Sequence, residues 1–137
     1  MAKIFKFITE GAKKAFNDLP KEIQIQFAAD LNAVANNLRP YSKIKNLAES
    51  VGKGAIELIE NGSPAFRTVY CAKYNNTIYI LHAFTKTTNG VDRKAMKTAK
   101  ARYKTMLADI KAGEDKARLE TKEIISSLIG PSNNVEA

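Results

Sequence analysis

Apolar residues at Ile23, Phe27, Leu31, Val34, Ala35 and Leu38 recur every three or four positions, a period that predicts an amphipathic helix over 21–38. Leu19-Pro20 opens it, because the fixed φ of proline suits a first helical position, and Arg39-Pro40 stops it. A shorter helical pattern covers 9–17. The chain is therefore expected to begin with an antiparallel pair of structural helices.

The pattern changes after a polar connection at 41–53. Residues 54–59, GAIELI, fit a short strand or a helical turn, and Asn61-Gly62-Ser63-Pro64 is a turn signal. Two runs rich in aromatic and β-branched residues follow, 66–74 and 77–85, separated by Asn75-Asn76. Asparagine tolerates positive φ, so the two runs predict a β-hairpin. Alternation places Arg67, Val69, Cys71 and Lys73 on one face of its first strand. On the second strand it groups Ile78, Ile80, His82, Phe84 and Lys86.

Helical periodicity returns after Asp92, which fits an N-cap. Ala95, Met96, Ala99, Tyr103, Met106, Leu107 and Ile110 form one apolar stripe, leaving Arg93, Lys94, Lys97, Lys100 and Lys104 on the solvated side. Gly113 is expected to close this helix, and a last helix is expected over 114–129, stopped by Gly130-Pro131. Its face of Ala117, Ile124, Ile125 and Leu128 fits packing on the domain or docking of a partner. The predicted order is two helices, three strands and two helices, an α+β fold with a small antiparallel sheet built on a central hairpin. One domain is expected at 1–112, a helical extension packed on it at 113–130 and a mobile tail at 131–137.

A chain of 137 residues is about one domain and can bury a core without disulfides. Its lone Cys71 cannot form an internal bridge, and no apolar run reaches the length of a signal peptide or a membrane span. The expectation is a cytoplasmic protein with no membrane partner. One histidine and one cysteine, far from metal-ligand spacing, predict no metal site. Neither GxxxxGK[ST] nor GxGxxG occurs, so no cofactor is indicated.

Charge changes the picture. The net charge of +8 and a pI near 9.6 favour polyanionic partners. Residues 112–137 carry three bases and five acids, or −2, so 1–111 carry +10. Between Phe84 and Lys104, seven bases (Lys86, Arg93, Lys94, Lys97, Lys100, Arg102 and Lys104) face one acid, Asp92. A hairpin strand ending beside so basic a helix suggests a surface for RNA. His82 is the one side chain whose ordinary pKa suits proton transfer near neutrality, which makes it a candidate general base. Between Ile80 and Phe84 it equally fits a hydrogen-bonded core residue. Tyr70, Tyr79 and Tyr103 can stack on bases or fill the core.

Leu19-Pro20, GAIEL at 54–58, FRTVY at 66–70, IYILHAFTK at 78–86 and the Ala99/Arg102 pair together resemble the HigB-like branch of the RelE/ParE toxin superfamily, over roughly residues 10–107. The resemblance implies a toxin of a type II toxin–antitoxin system. Such a toxin cuts mRNA on the ribosome without metal and is silenced by a cognate HigA-like antitoxin with a helix-turn-helix domain. The cut is attack of a ribose 2′-hydroxyl on the adjacent phosphorus, which needs a base, cations around the phosphorane and an acid for the leaving oxygen.

On this resemblance Arg67 matches a phosphate-clamping arginine, and Lys86 matches the basic end of the last strand, placed to neutralise the phosphorane or protonate the leaving group. From its own chemistry, not from the resemblance, His82 joins the catalytic set, and charge and stacking put Arg93, Lys94, Lys97, Lys100, Arg102 and Tyr70 in an RNA-binding set. The chain departs from the pattern at Ala55, Glu57 and Ile59, where relatives carry cations, and in Thr85-Lys86-Thr87, where a basic pair is thinned. Two alternatives stay open: a ParE-like gyrase-poisoning toxin and a non-catalytic RNA-binding module.

Overall fold

A computed structural model describes residues 2–129. The order of elements is β1 (Ile4–Phe7), α1 (Glu10–Asn17), α2 (Lys21–Ala35), β2 (Lys43–Asn46), β3 (Ala55–Glu60), β4 (Ala65–Cys71), β5 (Thr77–Lys86) and α3 (Arg93–Ile129). The strands form one mixed sheet in the order β1-β5-β4-β3-β2. Two compact units divide the chain at Met106/Leu107.

The α+β class holds, but the sheet is not purely antiparallel. β1 runs parallel to β5, with Ile4 opposite Thr77 and Phe7 opposite Ile80. Four residues, IFKF, are too few for a period to separate strand from helix, so this strand carries no local signature. β2 was equally hidden, because all four of its residues, KIKN, are exposed and carry no alternation. The expected antiparallel helix pair also needs correction. α1 lies chiefly against β5 and meets α2 only slightly, since its buried residues Ala12 and Phe16 turn to the sheet. The Phe16 ring meets Phe7 of β1 at 5.8 Å.

Local chemistry explains the boundaries. Thr9 caps α1 by accepting from the Ala12 amide at 3.0 Å. α2 stops at Ala35 rather than at Leu38, and Asn37 takes φ 62°, a left-handed value that ends helices. The segment after α2 is tied back by Asp30, which is fully buried. Its carboxylate accepts from the Tyr41 and Ser42 amides at 2.7 and 2.9 Å and from the Ser42 hydroxyl at 2.5 Å. Those bonds fix where β2 begins. Residues 54–59 resolve as strand β3, and Asn75 and Asn76 take φ 55° and 50° in the turn between β4 and β5.

One face of the sheet packs on α1 and α2 through Phe16, Leu19, Ile23, Phe27, Leu31, Leu58, Phe66, Tyr70, Ile78, Ile80 and Ala83. Burying a side chain such as Phe27 or Ile78 contributes about 2 kcal/mol. β5 does not keep a single parity. Val69 opposes His82 while Tyr70 opposes Ile80, so Leu81 is an extra residue, a β-bulge. The bulge splits the face expected to hold Ile78, Ile80, His82, Phe84 and Lys86. Ile78 and Ile80 join the helix-side core, whereas Phe84 and Lys86 line a cleft on the other face.

The first turns of α3 cover that other face through Ala95, Ala99, Tyr103 and Met106, all buried. Asp92 caps the helix by accepting from the Ala95 amide at 3.0 Å. The Tyr103 hydroxyl donates to the Lys53 carbonyl at 2.7 Å, and its ring lies so close to Gly52 that no side chain fits there.

α3 does not break at Gly113 but runs unbroken to Ile129, so two expected helices are one. A helical glycine costs about 1 kcal/mol relative to alanine, which one residue of a 37-residue helix absorbs. In the second unit, Asp115 accepts from Lys111 at 3.3 Å and from Arg118 at 2.9 Å, pairs one helical turn apart that hold its carboxyl below the ordinary range. Ile124, Ile125 and Leu128 are exposed. The tail expected at 131–137 lies outside the described residues.

Candidate functional site

A cleft of about 820 Å³ opens on the sheet face opposite α1 and α2. β3 supplies Glu57 and Ile59, β4 supplies Arg67 and β5 supplies Phe84 and Lys86. They come together through register: Arg67 stands opposite Ile59 on one side and Phe84 on the other. Lys45 enters from β2 opposite Glu57, and Asp92 and Met96 close the side nearest α3.

Glu57 is the buried charge of this cleft. Its carboxyl is raised above the ordinary range, chiefly by burial, against the pull of Arg67, Lys45 and Lys86 and with a small push from Asp92. Arg67 Nε lies 3.9 Å from Glu57 Oε1, and both side chains are almost fully buried. The guanidinium is held by other acceptors. Nη1 donates to the Glu60 carbonyl at 3.2 Å and the Phe66 carbonyl at 2.9 Å, and Nη2 donates to Asn61 Oδ1 at 3.1 Å. Arg67 is thus a fixed positive charge beside the carboxylate more than a free clamp. Lys86 Nζ donates to the Thr88 carbonyl at 2.6 Å, which leaves two of its three protons for other acceptors.

His82 does not line the cleft. Its ring stacks on Phe84 with centroids 5.4 Å apart, and its Nδ1 lies 3.0 Å from Arg102 Nη1. Arginine can only donate, so Nδ1 accepts and the ring proton sits on Nε2. Burial, helped by Arg102, lowers the histidine pKa to about 4, so the ring is neutral at pH 7. Arg102 also donates to the Leu81 carbonyl at 3.2 Å, which turns it inward rather than toward an RNA surface.

Arg93, Lys94, Lys97 and Lys100 are exposed along the start of α3. Tyr70, named for base stacking, is packed in the helix-side core, where burial pushes its phenol up to about 12. A ring enclosed on that side of the sheet has no face to offer a base. Sequence reasoning missed Glu57 as a site residue. The signal was there, because a single acid inside the apolar run AIELI must be buried with a partner. Lys45 gave no such signal.

Among the described residues, no group of histidine, cysteine and carboxylate side chains is placed to hold a metal ion. No described helix is long and apolar enough to cross a membrane.

The arrangement is an α+β protein whose mixed five-stranded sheet presents one buried acid among three cations. The family model described as phage-derived protein Gp49-like (DUF891) matches residues 14–104, so the chain belongs to that family, one of candidate toxins in toxin–antitoxin systems of RelE/HigB-like type. A search of curated proteins finds no match.

Proposed function

We propose that the chain is the toxin of a type II toxin–antitoxin system and acts as a ribosome-dependent mRNA endonuclease, held in check by a cognate antitoxin with a helix-turn-helix domain. The observation that carries this reading is the convergence of Glu57, Lys45, Arg67 and Lys86 in one cleft. Glu57, its proton affinity raised by burial, takes the proton of the ribose 2′-hydroxyl as the oxygen attacks the adjacent phosphorus. Lys45 and Lys86 neutralise the phosphorane, and Arg67 holds the site's positive charge in place. Lys86 gives a proton to the departing 5′-oxygen, and the products are a 2′,3′-cyclic phosphate and a 5′-hydroxyl. Arg93, Lys94, Lys97 and Lys100 supply an exposed row for the RNA backbone.

A second reading, a non-catalytic RNA-binding module, draws on the charge balance of the cleft. Lys45, Arg67 and Lys86 are offset there by Glu49, Glu57 and Asp92, while the α3 row is purely basic. Expression in bacteria with primer extension separates the readings. Codon-spaced cuts that vanish in Glu57→Gln and Lys86→Ala support the nuclease. Growth arrest with intact message and DNA damage indicates a gyrase poison, and neither effect leaves the binding module.

A further inference from the structure

β2 is one edge of the sheet, and its outer side has no strand partner among the described residues. The Leu47 amide donates to the Ala55 carbonyl at 2.9 Å, which sets the phase of the β2–β3 ladder. By the alternation of an antiparallel pair, Lys45 and Lys43 turn their backbone groups toward β3, while Ile44 and Asn46 turn theirs outward. Side chains alternate as well. Lys43 and Lys45 stand on the cleft face, opposite Ile59 and Glu57, and Ile44 stands on the other, opposite Leu58 and 47 % exposed.

We infer that the β2 edge is a docking site for an extended acidic peptide that adds to the sheet as a sixth strand. Free backbone groups give a strand its affinity, and the pockets and charges on alternate positions give its specificity. Here the pattern asks for acid, apolar, acid: carboxylates beside Lys43 and Lys45 on the cleft face, with a β-branched residue between them beside Ile44. A second copy of the chain does not fit, because an antiparallel copy centred on Ile44 sets Lys43 against Lys45. Lysine on an exposed edge blocks self-pairing for this reason, yet it leaves the edge open to a strand of opposite charge. The flanking residues agree, since Arg39 continues the positive charge and Tyr41 is exposed beside it. Lys45 belongs to both the edge and the cleft, so a docked strand also brings carboxylates to the cleft's rim and competes there with an anionic ligand. The docking itself does not depend on the cleft being a nuclease.

The test uses the full chain and three blocked peptides: TEVEVET, its scramble VVTEEET, and the charge-reversed TKVKVKT. TEVEVET is expected to bind and to slow hydrogen exchange at the Ile44 and Asn46 amides. The scramble, with the same charge, is expected to bind at least tenfold more weakly. In Lys43→Glu, whose side chain lies outside the cleft, affinity for TEVEVET is expected to drop about tenfold while TKVKVKT gains. Lys43→Gln, checked by its amide spectrum for an intact fold, is expected to fall between. Equal binding of the scramble, exchange protection elsewhere than β2, or no peptide binding would overturn the inference.

Discussion

Glu57 and Arg67 approach to 3.9 Å through Oε1 and Nε, a separation too long for a hydrogen bond. The guanidinium spends its donors on Glu60, Phe66 and Asn61, so the carboxylate feels a full positive charge while its oxygens keep their lone pairs. A base needs that combination. A closed ion pair would have pulled the carboxyl down, whereas burial prevails and raises it.

Replacing Glu57 with Gln keeps the shape and removes the proton acceptor. RNA cleavage is expected to fall by two to four orders of magnitude, about the range for a lost general base. The same variant has a stability signature. A carboxyl raised above 4.5 on folding contributes stability below that pH and loses it as pH rises through the folded value. Glu57→Gln is expected to flatten this decline in urea titrations across pH 4 to 8.

Lys86→Ala is expected to lower cleavage by about 10²-fold, with Lys86→Arg recovering part of it, because the loss is of charge near the phosphorane. The check is single-turnover cleavage. Equal rates in all three proteins would remove Lys86 from the mechanism.

His82 predicts a separate pH effect. Its pKa falls from 6.5 to about 4 on folding, so its contribution is present above pH 6.5 and is lost as pH falls toward 4. The expected loss approaches about 3 kcal/mol. Denaturation of His82→Gln is expected to lack this slope, and cleavage near pH 7 is expected to change little, because the ring lies behind Phe84.

Asp30→Ala is expected to destabilise the fold by about 2 to 3 kcal/mol, since two amides and a hydroxyl lose their acceptor. Amide exchange in β2 should rise more than in β4, because Asp30 fixes the entry to the edge strand.

The α2 period, the Asn75-Asn76 turn and the Asp92 cap were legible because each is written in neighbouring residues. β1 and β2 were not, being short, and in β2 wholly exposed. Their place is decided by distant partners, Ile4 pairing with Thr77, Lys45 with Glu57 and Lys43 with Ile59. That Arg67 and Lys86 act at one place was implied by the family resemblance, whereas alternation alone put Lys86 on the face of Ile78 and Ile80, which the bulge at Leu81 overturns. Glu57 read as a departure from a family pattern until its burial beside Arg67 was visible. His82 and Arg102 carried the right residue types for chemistry and are occupied with each other.

The extra residue at Leu81 lets a single strand serve two masters. Upstream of it, even-numbered side chains feed the greasy interior; downstream, even-numbered side chains meet water and charge. Strict alternation through Leu81, without the stagger, would turn His82, Phe84 and Lys86 to the helix-packed side. The one-residue stagger is therefore what permits a hydrophobic strand to end as a reactive rim.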